Sequence, residues 1–125
     1  MKIFTLEEAN SLLRKVKPIL LRIRDCHQTI ASARETAKSA ADSAKFGGGG
    51  MEGGSLYVSS IYEFNELTSE IDNLGIQIKD YARGLIDFPA IRENRVVLLC
   101  WQFGEGDKIG WWHDIDAGFA GRQRL

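Results

Sequence analysis

This 125-residue chain is poor in the residues that usually give a function away: two cysteines, two histidines and two prolines. Its start, MKIFTLEEAN, lacks the apolar core of about 7–15 residues and the small-residue cleavage site of a signal peptide, so export is not expected. Two cysteines in such a chain point to reduced thiols and a cytoplasmic location. No apolar run approaches the roughly 18 residues that span a bilayer, so no membrane partner is expected. A formal net charge of −1 gives no whole-chain attraction to nucleic acid or to an anionic membrane surface. The glycine run Gly47–Gly50 is not a phosphate-binding loop, because no Gly-Lys-Ser/Thr follows it and no strand precedes it. The carboxylates match no EF-hand spacing, and there is no internal repeat. No motif fixes a reaction.

What is present describes a folded protein. Hydrophobic residues make up 44% and charged residues 26%, which argues against wholesale disorder. At this length a single domain over 1–125 is expected. Thr5-Leu6-Glu7-Glu8 reads as a capping box that opens a helix over about 5–45. Leu6, Ala9, Leu13, Val16, Leu20, Ile23 and Ile30 follow at helical spacing. A glycine-rich loop over 46–54 costs too much backbone entropy to continue the helix. Ile61, Phe64, Leu67, Ile71, Leu74, Ile78, Tyr81 and Leu85 then predict a second helix over about 56–86, ended by Asp87-Phe88-Pro89.

Arg95 to Phe103 (RVVLLCWQF) is rich in strand formers, Gly104 to Asp107 reads as a turn, and Lys108 to Ile115 returns. The segment predicts a β-hairpin over about 95–115, followed by an irregular tail over 116–125. The fold class is therefore α+β: a long antiparallel helical hairpin with a C-terminal β-hairpin packed on it. Two long apolar stripes exceed what one small hairpin covers, so self-association through the helices is expected.

The chemistry concentrates in the last third. A loop of two or four residues centred on Glu105-Gly106 sets Cys100 opposite Trp111 and Leu98 opposite His113, with Cys100, Trp111 and His113 on one face. A three-residue loop slips the register and moves His113 to the face of Val97, Leu99 and Trp101. In the first register Cys100 and His113 form a thiol–imidazole pair or half of a metal site; the plainer alternative is a small core hydrophobe beside a hydrogen-bonded histidine. Two ligands do not make a structural zinc site, so no metal and no cofactor are assigned. Glu105, Asp107, Asp87, Asp114 and Asp116 are acidic and nearby, either as a cation site or as solvated turn carboxylates. His27 lies on the apolar stripe of the first helix and is expected to approach Glu70 to Leu74. Trp101, Trp111, Trp112, Phe103 and Phe119 beside Arg122 and Arg124 suit base stacking, and equally suit a core and its edge.

GIQIKD (Gly75 to Asp80), GLIDFP (Gly84 to Pro89), LCW (Leu99 to Trp101), Gly104-Glu105, Trp112-His113 and GFAGRQ (Gly118 to Gln123) together resemble a prokaryotic family known as domain of unknown function 2203. Glu8-Ala9-Asn10 and Leu12-Leu13 resemble its start. Asn94 stands where family members usually carry glycine, and asparagine also tolerates a left-handed turn. The resemblance implies no activity. It singles out Asp80, Asp87, Trp101, Glu105, His113 and Arg122 as candidate binding positions and leaves catalytic residues and any small-molecule ligand unassigned. The leading expectation is a binding or assembly module that forms dimers. The alternative is a small metal-dependent or thiol enzyme using Cys100, His113 and nearby carboxylates. A nucleic-acid accessory protein is the weakest reading.

Overall fold

Helix α1 spans Leu6–Ala44 and α2 spans Gly54–Asn73 in the computed structural model, which describes residues 1–44 and 54–125. The glycine-rich loop lies outside the described residues, apart from Gly54, which opens α2. The capping box is formed: Thr5 Oγ1 accepts the Glu8 N–H at 3.1 Å, and Glu8 Oε1 accepts the Thr5 N–H at 3.0 Å. These bonds favour the charged carboxylate and hold Glu8 below its ordinary range. The stripe Ala9, Leu13, Val16, Leu20, Ile23 and Ile30 is buried, as its helical spacing requires. Arg22 bridges to Glu63 of α2 with two bonds of 2.6 Å.

The second helix is shorter than its periodicity suggests. It stops at Asn73, and Gly75 follows with φ +89°. That left-handed conformation is open to glycine at little cost and ends helices for that reason. An added Cβ there would also stand 2.8 Å from Lys2 Cβ. Beyond it, Ile76-Gln77-Ile78-Lys79 alternates with a period of two. The same Ile71, Leu74 and Ile78 satisfy a helical period by coincidence, which is why the expected helix to residue 86 fails.

The C-terminal half is a five-stranded antiparallel meander and not a lone hairpin. Strands β1 (Gln77–Asp80), β2 (Leu85–Arg92), β3 (Arg95–Trp101), β4 (Trp111–Asp114) and β5 (Gln123–Arg124) pair in sequence order. Pro89, taken above as a helix terminator, lies within β2 opposite Leu98. Strand β1 pairs with β2 only as far as Asp87, so no neighbour on that side requires the missing N–H. The Pro89 carbonyl instead accepts the Phe4 N–H at 2.7 Å. Glu93 and Asn94 turn β2 into β3 with φ of 51° and 63°, the left-handed pair of a tight hairpin turn. The expected return strand from Lys108 begins only at Trp111. Ile109 is buried, and its N–H donates to Asn10 Oδ1 at 2.7 Å, which draws residues 102–110 onto α1. The tail expected to be irregular contains a 3-10 turn, Phe119–Gly121, and β5.

One face of the sheet belongs to the main core. Ile86, Phe88, Ala90, Val97, Leu99, Trp101 and Trp112 join the α1 stripe and Ile71 in one cluster. Phe4 meets Phe88 edge-on at 5.4 Å. Gly84 ends the β1–β2 turn with φ +60°, and an added Cβ would stand 2.5 Å from the Phe103 ring. Left-handed strain alone costs about 1–2 kcal/mol for other residues. Gly84→Ala is therefore expected to lower unfolding free energy by about 2 kcal/mol or more in urea titration. An unchanged denaturation midpoint would show that the turn and ring relax freely.

Candidate metal centre

The register of β3 decides the opposite face. Cys100 pairs with Asp87 of β2 on one side and Trp111 of β4 on the other, while Leu98 pairs with His113. This is the first of the two registers above, reached through the longer connection of residues 102–110. Side chains alternate across a strand, so Asp87, Cys100, Trp111 and His113 all project away from the helices. Asp87 and Cys100 are each 1% exposed and His113 is 2% exposed. One carboxylate oxygen, the Cys100 Sγ and one imidazole nitrogen lie within 4.8 Å of one another.

His113 is held by both nitrogens. Its Nδ1 stands 2.8 Å from the Asp114 carbonyl, which can only accept, so Nδ1 carries a proton. Its Nε2 faces both Asp87 oxygens at 3.2 Å. Both ring nitrogens thus face oxygen partners, and the Cys100 thiol lies beside the same Asp87 carboxylate. Burial first, then the Asp87 charge and its hydrogen bond, push the Cys100 thiol up to about 12. The three groups lie within 4.8 Å of one another, but both imidazole nitrogens are taken up by oxygens. In a nucleophilic triad the imidazole stands between the other two and takes the thiol proton. That arrangement is absent here, and the geometry disfavours thiol catalysis.

Arg122 closes the cluster from the C-terminal segment. Its Nη1 lies 4.0 Å from Cys100 Sγ and 3.3 Å from Glu105 Oε1, and its Nη2 bonds Glu105 Oε2. The guanidinium lies over the rings of Trp111 at 4.5 Å and Phe119 at 4.7 Å. Glu105 also accepts the Gln102 N–H at 2.9 Å, which shapes the start of the loop.

A family model matches residues 2–125, covering the described sheet and both helices. The chain belongs to the family described as Uncharacterized conserved protein (DUF2203). No curated protein and no solved structure matches it. In this DUF2203 chain four of the six motif positions, Asp87, Glu105, His113 and Arg122, gather around Cys100. The other two do not. Asp80 Oδ1 accepts the Arg83 N–H at 3.0 Å and caps the β1–β2 turn. Trp101 lies on the helix-facing side, 2% exposed, with its Nε1 donating to the Gly106 carbonyl at 3.1 Å.

The other sequence candidates disperse. Asp107 pairs with Lys17 at 2.6 Å, and Asp114 Oδ1 accepts from Arg95 Nε at 2.8 Å. Asp116 is exposed. His27 meets the rings of Phe64 and Tyr81 instead of Glu70 to Leu74; with Arg22 on Glu63, α1 meets α2 nearer the start of that helix than expected. The aromatic group divides: Trp101, Trp112 and Phe103 pack with the helices, while Trp111 and Phe119 stack on arginines at the other face. Asp87 was among the candidate residues, but its place on a strand opposite Cys100 was not expected, since the segment carrying it was read as a helix end. Alternation through Leu85-Ile86-Asp87-Phe88 was the available signal.

Trp101→Ala is expected to cost about 3–5 kcal/mol of stability in chemical denaturation, as for a buried ring removed from a core. A loss near 0.5 kcal/mol would mean that the ring contributes little to the packing.

Proposed function

We propose that this protein binds one divalent transition-metal ion through Asp87, Cys100 and His113. The supporting observation is the convergence of the three ligand atoms within 4.8 Å inside a buried face of the sheet. In a tetrahedral zinc site, bonds of about 2.0–2.3 Å put ligand atoms roughly 3.3–3.8 Å apart, so a modest contraction completes the geometry. The Nδ1–H bond to the Asp114 carbonyl supports the same reading, since metal-binding histidines commonly anchor their second nitrogen this way. Sulfur and imidazole donors favour zinc or iron(II) over magnesium or calcium. Three protein ligands leave a fourth position for water or a substrate atom, which is the pattern of catalytic zinc sites. The metal-dependent alternative thus moves ahead of the thiol alternative. Both cysteines are free and buried, and a thiolate ligand favours a reducing compartment such as the cytoplasm.

Protein purified without an affinity tag should carry about one equivalent of zinc or iron by elemental analysis, and Cys100→Ser and His113→Ala should each remove it. Less than about a tenth of an equivalent after incubation with either metal would reduce the trio to a buried histidine–aspartate pair.

Self-association is a second, compatible proposal. We read α1 and α2 as arms of an antiparallel hairpin, tied by Arg22–Glu63 and His27–Phe64. Leu56, Val58 and Tyr62 of α2 are 60–71% exposed, an apolar surface suited to a second copy. Light scattering at micromolar concentration should give at least twice the 14.0 kDa chain mass. A monomer mass would contradict it.

A further inference from the structure

The metal ligands are closed off, and the closing group is itself a cation. Arg122 is 7% exposed at its side chain and Glu105 18%, so their ion pair lies at the boundary between the buried trio and solvent. A hydrated divalent ion has no use for a guanidinium 4.0 Å from the sulfur that must bind it. Like charges repel, and the ion cannot reach Cys100, Asp87 and His113 without displacing what covers them.

The cover is attached lightly. Arg122 follows the 3-10 turn Phe119–Gly121, which has no side-chain cap, and precedes the two-residue strand β5. Gly118 before the turn has φ +64°. On the other side, Glu105 stands between Gly104 and Gly106, with φ of +91° and +85°. Short, lightly paired terminal segments open at lower free energy than core strands. The charged pair is the strongest polar link between the tail and residues 102–110, joined by the Leu125 N–H to Gly110 carbonyl bond at 3.0 Å.

We propose that residues 119–125 form a latch over the metal site, held shut by the Glu105–Arg122 ion pair, and that the metal enters and leaves through its opening. The proposal rests on the metal-binding reading for its purpose. Arg122 acts as a stand-in cation beside Cys100 when the site is empty and moves aside when the metal takes its charge role. It positions the closed state; it is not a ligand.

The test combines a variant with two readouts. Glu105→Gln keeps an acceptor for the Gln102 N–H and removes the charge that holds Arg122. In stopped-flow with cobalt(II) and a chelator, both uptake and release are expected to accelerate by about tenfold or more. Acceleration of release alone would make Glu105 a metal ligand and overturn the latch; unchanged rates would also overturn it. In a Cys26→Ser background, labelling of Cys100 by a methanethiosulfonate reagent is expected to accelerate in parallel, and this readout needs no metal. Hydrogen exchange on the unaltered protein keeps the proposal testable should the variant fail to fold. Amides of residues 122–125 should exchange at least about a hundredfold faster than those of β3. Equal protection would overturn the latch. Absence of cobalt binding with fast Cys100 labelling in Glu105→Gln would instead sink the metal reading and leave the latch as the cover of a buried thiol.

Discussion

Strand β3 is paired on both edges, and the position of Cys100, opposite Asp87 on one side and Trp111 on the other, decides which side chains meet. A one-residue slip on either edge would exchange the faces of a whole strand. It would send Asp87 or His113 into the core beside Leu99 and Trp101 and bring Phe88 or Trp112 out. The apolar cost of that exchange, at roughly 25 cal/mol per Å² of surface, pins the register. The same burial that packs α1 on the sheet therefore aligns the three polar groups on the far side. Gly84, the Glu93–Asn94 turn and the Pro89 carbonyl bonded to Phe4 fit β2 to that alignment.

A buried aspartate, cysteine and histidine are poorly explained by stability. Desolvating a carboxylate and an imidazole costs several kcal/mol, and well-packed hydrophobic replacements for such pairs are often neutral or stabilising. The neighbouring positions Leu85, Pro89 and Leu98 show that this face accepts apolar side chains and buries them. A cluster of polar groups in that setting, capped by an arginine–glutamate pair, is the kind of local exception that marks a site. Its arrangement separates two chemistries. With both His113 nitrogens bonded to oxygens, neither is free to take the Cys100 proton, whereas a cation between the three ligand atoms satisfies all of them.

The first helix was legible because its capping box and stripe agree: Thr5, Glu8, Leu13 and Leu20 each do what spacing dictates. The Cys100–Trp111 and Leu98–His113 alignment was one of two open registers, and loop length could not choose between them. Residues 102–110 leave the hairpin altogether to bond Asn10 and Lys17, contacts distant in sequence. The limits of α2 were obscured by Ile71, Leu74 and Ile78, which fit both periods. Gly75 was the local sign of the break. Reading Asp87-Phe88-Pro89 as a stop concealed β2 and with it the pairing of Asp87 with Cys100. Proline in a paired strand is tolerable here only because pairing with β1 stops at Asp87, a tertiary fact that no local pattern contains. Arg122 was visible as a motif position, but its stacking on Trp111 and Phe119 depends on a tail whose pairing is two residues long.

Diffraction from crystals grown with zinc, with data at the zinc absorption edge, tests the central claim most directly. The expected result is one anomalous peak between Asp87 Oδ, Cys100 Sγ and His113 Nε2, at about 2.0–2.3 Å from each, with the Nδ1 bond to the Asp114 carbonyl kept. A map without a peak there at saturating zinc, with His113 Nε2 still bonded directly to Asp87, would contradict it.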